Sequence, residues 1–242
     1  MHAAIVTGVS RGLGEALARA LLERGSTVVG VGRTGSARLR GKRFRLATCD
    51  LAQPALIAAA VAPALRELVA AKPSAVTLIN NAAVATPAGL LGRLDAAEIE
   101  AALATNVAAP LVLADLFCRA FPDETLPRRI INISSGAAHT AVAGSAVYCM
   151  SKAALEMLTR AIVADHPSPS LECISLRPGI FETDMQQFMR SRDPAEFPSV
   201  GLFRSFKEND LLKDPADVAA AIVDKMVFAK VDNGRTYTHT DL

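Results

Sequence analysis

The 242-residue chain has no tryptophan, two tyrosines and four cysteines. Cys49, Cys118, Cys149 and Cys173 show no paired spacing, which argues against a disulfide framework and fits a reducing compartment. The four histidines are scattered without ligand spacing, so no metal centre is expected. Net charge is only +2, and no basic cluster is dense enough for a nucleic-acid surface. The apolar run from Leu56 to Leu68 is interrupted by Pro63 and Arg66, so it does not read as a membrane span. The first strand is expected almost at Met1, which leaves no room for a charged-then-apolar signal, and a cytoplasmic location is expected. Neither an internal repeat nor a linker is visible, so residues 1–242 read as one domain.

Half of the chain is apolar, and strand-like and helix-like segments alternate along it. Buried strands are expected at Ala3–Thr7, Ser26–Gly32, Phe44–Cys49, Ala75–Ile79, Arg129–Ile133 and Leu171–Leu176, with a last one at Thr236–Thr240. Helices are expected over Gln53–Ala71, bent at Pro63, and from Asp95 through Asn106 to a kink at Pro110. Asp214-Pro215 opens another, with cap and N1 proline in their preferred places. Such alternation predicts an α/β fold, a parallel sheet with helices on both faces. The chemistry-bearing residues fall after the strands, where open α/β sheets bind ligands.

After the first strand comes Gly8-Val-Ser-Arg-Gly12-Leu-Gly14, opening a helix. Glycines there permit a tight turn and let backbone N–H groups approach a phosphate. The second strand ends at Gly32-Arg33 rather than at the carboxylate that an NAD site places there. Arg33 and Arg11 suit a 2′-phosphate, so NADP(H) is favoured, although two arginines can also be plain solvated charges. Asp50 either accepts from adenine or caps a turn, and Asn106 is either functional or a satisfied core amide.

Tyr148 and Lys152 are four apart, on one helix face. A free phenol titrates near pH ~10, and an ammonium one turn away is expected to lower that value. Ser135, at the end of the preceding strand, completes a set suited to proton transfer at a carbonyl oxygen. His139 reads as an exposed loop histidine rather than a substrate contact. Residues 181–213 have no clean period and read as a lid. Phe181, Phe188, Phe197, Phe203, Phe206, Met185 and Met189 either close over an apolar or aromatic substrate or pack on the body.

Over essentially its whole length the sequence resembles the short-chain dehydrogenase/reductase family. The resemblance rests on Thr7–Gly14, Asp50-Leu51, Asn80-Asn81-Ala82, Asn106, Ser135, Tyr148-x-x-x-Lys152 and Pro178-Gly179 with Thr183. It implies a Rossmann-type, doubly wound sheet of about seven strands in a single domain. It also implies a catalytic tetrad of Asn106, Ser135, Tyr148 and Lys152. Tyr148 would be the acid/base, Ser135 would steady the carbonyl oxygen, Lys152 would hold the nicotinamide ribose, and Asn106 would anchor a water. The cofactor would lie along Gly8, Ser10, Arg11, Gly12, Leu13, Gly14, Arg33, Asp50, Leu51, Asn81, Ala82, Ala83, Tyr148, Lys152, Pro178, Gly179, Ile180 and Thr183. Arg129–Ser135 and Glu182–Gln187 resemble the sepiapterin reductase and benzil reductase branch. Ala83 replaces a usual glycine, Thr238 stands where that branch carries a carboxylate with Asp241 close by, and Ser145 replaces an aromatic. An NADPH-dependent reductase of ketones or α-dicarbonyls is therefore expected, working as a homodimer or homotetramer. The alternatives are a non-catalytic NADP-binding sensor or scaffold, and an alcohol dehydrogenase working oxidatively.

Overall fold

Short apolar runs rich in Val and Ile, each closed by a glycine or polar residue, form the strands of one sheet. A computed structural model describes all of residues 1–242. The strands are β1 (His2–Thr7), β2 (Thr27–Gly32), β3 (Phe44–Thr48), β4 (Ala75–Asn80), β5 (Arg128–Ile133), β6 (Leu171–Arg177) and β7 (Thr236–Thr238). Their order is β3-β2-β1-β4-β5-β6-β7, and every pair is parallel. The chain builds outward from β1 to β3 and then crosses back to β4. A crevice therefore opens at the carboxyl ends of β1 and β4, the point where such sheets bind ligands.

Successive residues of a strand face opposite sides, and β1 divides accordingly. Ala4 and Val6 pack with Leu13, Leu17 and Leu21 of α1 (Gly12–Glu23) and with Val218 and Ile222 of α8 (Pro215–Ile222). Ala3 and Ile5 pack on the other side. Their neighbours are Ile57 and Val61 of α2 (Pro54–Ala70), Leu113 and Phe117 of α4 (Ala109–Ala120), and Ile162 of α5 (Ala146–Asp165). Each of the Val, Leu, Ile and Phe side chains among them, taken fully out of water, contributes on the order of 2 kcal/mol. Helix α2 continues through Pro63. Asp95 caps α3 (Ala96–Leu103) by accepting from Glu98 N at 3.0 Å, and Asp214 caps α8 by accepting from Ala216 N at 2.7 Å.

Two local expectations are revised. The interruption expected at Pro110 takes the form of a π-helical turn. Residues Ala104–Ala108 form it within one continuous helical run from α3 into α4, and Pro110, just past it, lacks the N–H that the run would otherwise bond to that turn. The α3–α4 run, Ala96–Ala120, is long and apolar enough to cross a membrane by composition, but Ala102, Ala109, Leu113, Ala114 and Phe117 are buried in the fold. The 181–213 segment is not aperiodic. It folds into α6 (Asp184–Ser191) and α7 (Val200–Glu208), with its two ends, Phe181 and Lys213, held side by side by a parallel bridge. Helices of eight and nine residues separated by Pro194 and Pro198 are too short to show their period in the sequence.

Candidate active site

The first crossover turn is shaped by close approach. A Cβ at Gly14 would lie 2.2 Å from the Gly8 carbonyl oxygen and 2.5 Å from Asn81 Nδ2, so only glycine lets α1 start against β1. Thr7 locks the neighbouring turn: its Oγ1 accepts from the N–H groups of Asn81 and Ala82, both at 2.9 Å, while Asn81 Nδ2 donates to the Thr7 carbonyl at 2.9 Å. Gly12 has φ +58°, and a Cβ on it would meet only Thr183 Cγ2, at 3.6 Å. The space between the glycine turn and the start of α6 is thus open at the N-terminus of a twelve-residue helix, and it fits a pyrophosphate.

Every site residue nominated from the sequence except Asn106 lines one cleft of about 1530 Å³. At its end beside β2 Arg33 is exposed and makes no ion pair, whereas Arg11 Nε contacts Asp184 Oδ2 of α6 at 3.0 Å. Asp50 also forms a local turn, accepting from Ala52 N at 3.1 Å.

At the other end Ser135, Tyr148 and Lys152 meet. Lys152 is 3% exposed, and its Nζ donates to the Ile133 carbonyl at 2.7 Å. Burial pulls its pKa down to about 8. Tyr148 is half-buried, its ring centroid 5.6 Å from Lys152 Nζ. Burial pushes the phenol up to about 12, with a hydrogen bond from Ser135 pulling the other way. The lowered phenol pKa expected from the Tyr-Lys spacing is therefore not found in the free protein. Desolvation dominates, and the Lys152 ammonium is turned to a backbone carbonyl. The phenol is neutral at pH 7 and carries a proton to donate.

Asn106 is 2% exposed and its amide is fully engaged. Oδ1 accepts from Val84 N at 2.8 Å, and Nδ2 donates to Val84 O at 2.8 Å and Ser151 Oγ at 3.1 Å. This side chain ties the segment after β4 to α5 and does not face the cleft. Glu156, one turn beyond Lys152, escaped the sequence reading. It accepts from Ser134 Oγ at 2.7 Å and from Arg177 Nε and Nη2, both at 2.8 Å. Burial raises the Glu156 carboxyl, but Arg177 and Ser134 outweigh it and hold it below its usual range. The carboxylate thereby fixes the ends of β5 and β6 against α5. Its i+4 spacing from Lys152 was the available signal.

The lid closes the far wall. Phe197 is fully buried and packs with Phe203, Met189, Val200 and Ala85, so for it packing on the body prevails. Phe181, Phe188, Phe203, Phe206, Met185 and Met189 line the cleft. Asp241 does not. Its carboxylate accepts from Thr238 N at 2.7 Å and pairs with Arg235 at 2.9 Å, leaving Thr238 and His239 at the cleft. His139 is exposed and off the cleft. The other tyrosine, Tyr237, is buried, its hydroxyl occupied by Asp232 N at 2.7 Å.

A family model described as short chain dehydrogenase matches residues 2–194. Benzil reductase ((S)-benzoin forming) of Bacillus subtilis (strain 168) is 31% identical over 239 residues, covering 98% of each chain. Sepiapterin reductase of Meriones unguiculatus is 36% identical over 211 residues, covering 78% of this chain and 79% of that one. The crystal structure of the KRED1-Pglu enzyme superposes with a TM-score of 0.81 at 25% identity, covering 98% of this chain and all of the other.

Proposed function

The chain belongs to the short-chain dehydrogenase family, near the benzil and sepiapterin reductases, and on that premise we propose that it is an NADPH-dependent carbonyl reductase. The observation that carries the reading is the convergence of Ser135, Tyr148 and Lys152 in the same cleft as the glycine turn. A dihydronicotinamide, if bound there, would supply the hydride, two electrons for the carbonyl carbon. Tyr148 supplies the matching proton to the carbonyl oxygen, and Ser135 orients that oxygen by hydrogen bonding. The phenolate left behind forms beside the buried Lys152 ammonium, where low dielectric strengthens their attraction. Pro178, Gly179, Ile180 and Thr183 would border the nicotinamide, and Asn106 would act by holding Val84 and Ser151 in place.

NADPH is preferred over NADH in this reading because Arg33 is an unpaired cation at the adenosine end and no carboxylate follows β2. The apolar lid suits an aromatic or apolar ketone. A homodimer or homotetramer is supported by Leu111 of α4 and Met150 and Met157 of α5, which are 53–60% exposed. Four free thiols agree with a cytoplasmic setting.

NADPH oxidation followed with a panel of aromatic α-diketones and ketones tests the activity. Tyr148→Phe should abolish turnover and leave NADPH binding intact. Retained turnover would remove Tyr148 from the mechanism, and no turnover by the unaltered protein with any member of the panel would overturn the reductase reading.

A further inference from the structure

Tyr148, Lys152, Glu156 and Thr159 lie at successive turns along one face of α5. The last three reach across to the ends of β5 and β6. Lys152 Nζ donates to the Ile133 carbonyl at 2.7 Å. Glu156 Oε1 accepts from Ser134 Oγ at 2.7 Å and from Arg177 Nε at 2.8 Å, while Oε2 accepts from Arg177 Nη2 at 2.8 Å. Thr159 Oγ1 accepts from Asn132 Nδ2 at 2.9 Å and shares a hydrogen bond with Ser175 Oγ at 2.7 Å. The Glu156 and Thr159 rungs each join both strands to the helix, but only the Glu156 rung lies at the cleft. Ser134 and Arg177 line that cleft, whereas Asn132, Thr159 and Ser175 do not.

Each partner of Glu156 stands directly before a working segment. Ser134 precedes Ser135, and Arg177 precedes Pro178-Gly179. Glu156 itself follows Lys152 by one turn of the helix that carries Tyr148. One carboxylate therefore ties together the three segments that bear Ser135, Tyr148 and the Pro178-Gly179 turn. The tie is stiff. The Glu156 and Arg177 side chains are 13% and 24% exposed, and the two parallel N–H···O bonds between them fix orientation as well as distance. Glu156 does not line the cleft and takes no direct part in the chemistry. We propose that Glu156 is a positioning residue for hydride transfer, keeping Ser135 and Tyr148 in register with the Pro178-Gly179 turn that would border the nicotinamide. Transfer requires a near-attack arrangement of the reacting atoms, and a misplacement of about 1 Å can cost about 100-fold. The inference rests on the carbonyl-reductase reading.

Glu156→Gln keeps the shape, but its NH2 meets Arg177 donor to donor and the fork is lost. The Thr159 rung and the apolar packing of α5 remain to hold the fold. Transfer is read from NADPH absorbance in a single turnover with saturating 1-phenyl-1,2-propanedione. Fluorescence titration gives NADPH affinity, and amide hydrogen exchange of the free protein reports how firmly the segments are held. In Glu156→Gln, transfer should slow about tenfold with the NADPH Kd within about twofold, and exchange should quicken at Gly136–Ala138 and at Gly179 and Ile180. Thr159→Val cuts the rung away from the cleft and should keep transfer within about twofold. Arg177→Lys, which keeps the charge without the fork, should slow transfer in the same direction and decides the matter if Glu156→Gln fails to fold. Transfer in Glu156→Gln within about twofold of the unaltered protein, an equal slowing in Thr159→Val, or unchanged exchange at both segments overturns the proposal and leaves the reductase reading standing. Absence of turnover in the unaltered protein, with NADPH still bound, overturns both.

Discussion

Lys152→Met should make the free protein more stable at neutral pH while abolishing turnover. Lys152 is 3% exposed, and burial moves its ammonium from 10.5 to about 8. That separation corresponds to a cost of about 3 kcal/mol for holding the charge in the folded state below pH 8, at roughly 1.4 kcal/mol per pH unit. Methionine fills similar space without charge, but it leaves the Ile133 carbonyl without its donor, at about 1–3 kcal/mol. The net expectation is a gain of about 1 kcal/mol at pH 7. Between pH 8 and 10.5 the unfolded chain binds the proton that the folded protein has released, so the unaltered protein gains stability as pH rises. By pH 9.5 that gain is about 2 kcal/mol, and the variant's advantage should vanish. Urea denaturation without cofactor, at pH 7 and 9.5, reads both quantities from the midpoint at unchanged slope. A variant less stable than the parent at pH 7, or a gap that does not narrow toward pH 9.5, would refute the reasoning.

Three further outcomes are expected. Arg33→Ala should weaken NADPH binding about tenfold, as the loss of a charge-assisted contact to a phosphate implies, and leave NADH within about twofold; equal losses in fluorescence titrations would dismiss the 2′-phosphate role. Asn106→Ala removes three hydrogen bonds and leaves both backbone groups of Val84 without their side-chain partner, so urea denaturation should show a loss of about 2–3 kcal/mol, and a loss under about 0.5 kcal/mol would contradict it. His2 sits between Ser26 Oγ at 2.9 Å and Thr77 Oγ1 at 3.0 Å, with burial, Arg129 and the N-terminus lowering it from 6.5 to about 4. Because the unfolded chain binds that proton first, stability present above pH 6.5 should fall by about 2 kcal/mol toward pH 4, allowing for partial exposure, and His2→Gln should flatten this part of the pH–stability curve.

How much of this was legible in the sequence depended on the scale of the cause. The sheet was, because period and punctuation are local: Val, Ile and Ala runs ending in Gly8, Gly32, Asn80 and Ser134 carry their own boundaries. The caps at Asp95 and Asp214 were legible for the same reason, since each needs only the side chain and the N–H two or three residues on. The π-turn at 104–108 was not. Pro110 marked a break but not its form, and the turn goes with Asn106 reaching Val84, twenty-two residues away.

Charge was the hardest to read. The spacing of Tyr148 and Lys152 correctly brings them together, yet spacing says nothing about dielectric. The Lys152 ammonium of α5 is buried with a single carbonyl for a hydrogen-bond partner, and the half-buried phenol one turn before it is pushed up to about 12 rather than down. A proton donor facing a developing alkoxide does not need a low pKa, because an alkoxide is more basic than a phenolate. It needs its conjugate base stabilised at the moment of transfer, by a cation whose desolvation has already been met in folding. The instability that Lys152 imposes on the free protein and the attraction it exerts on the phenolate therefore have one origin, the absence of water around Nζ.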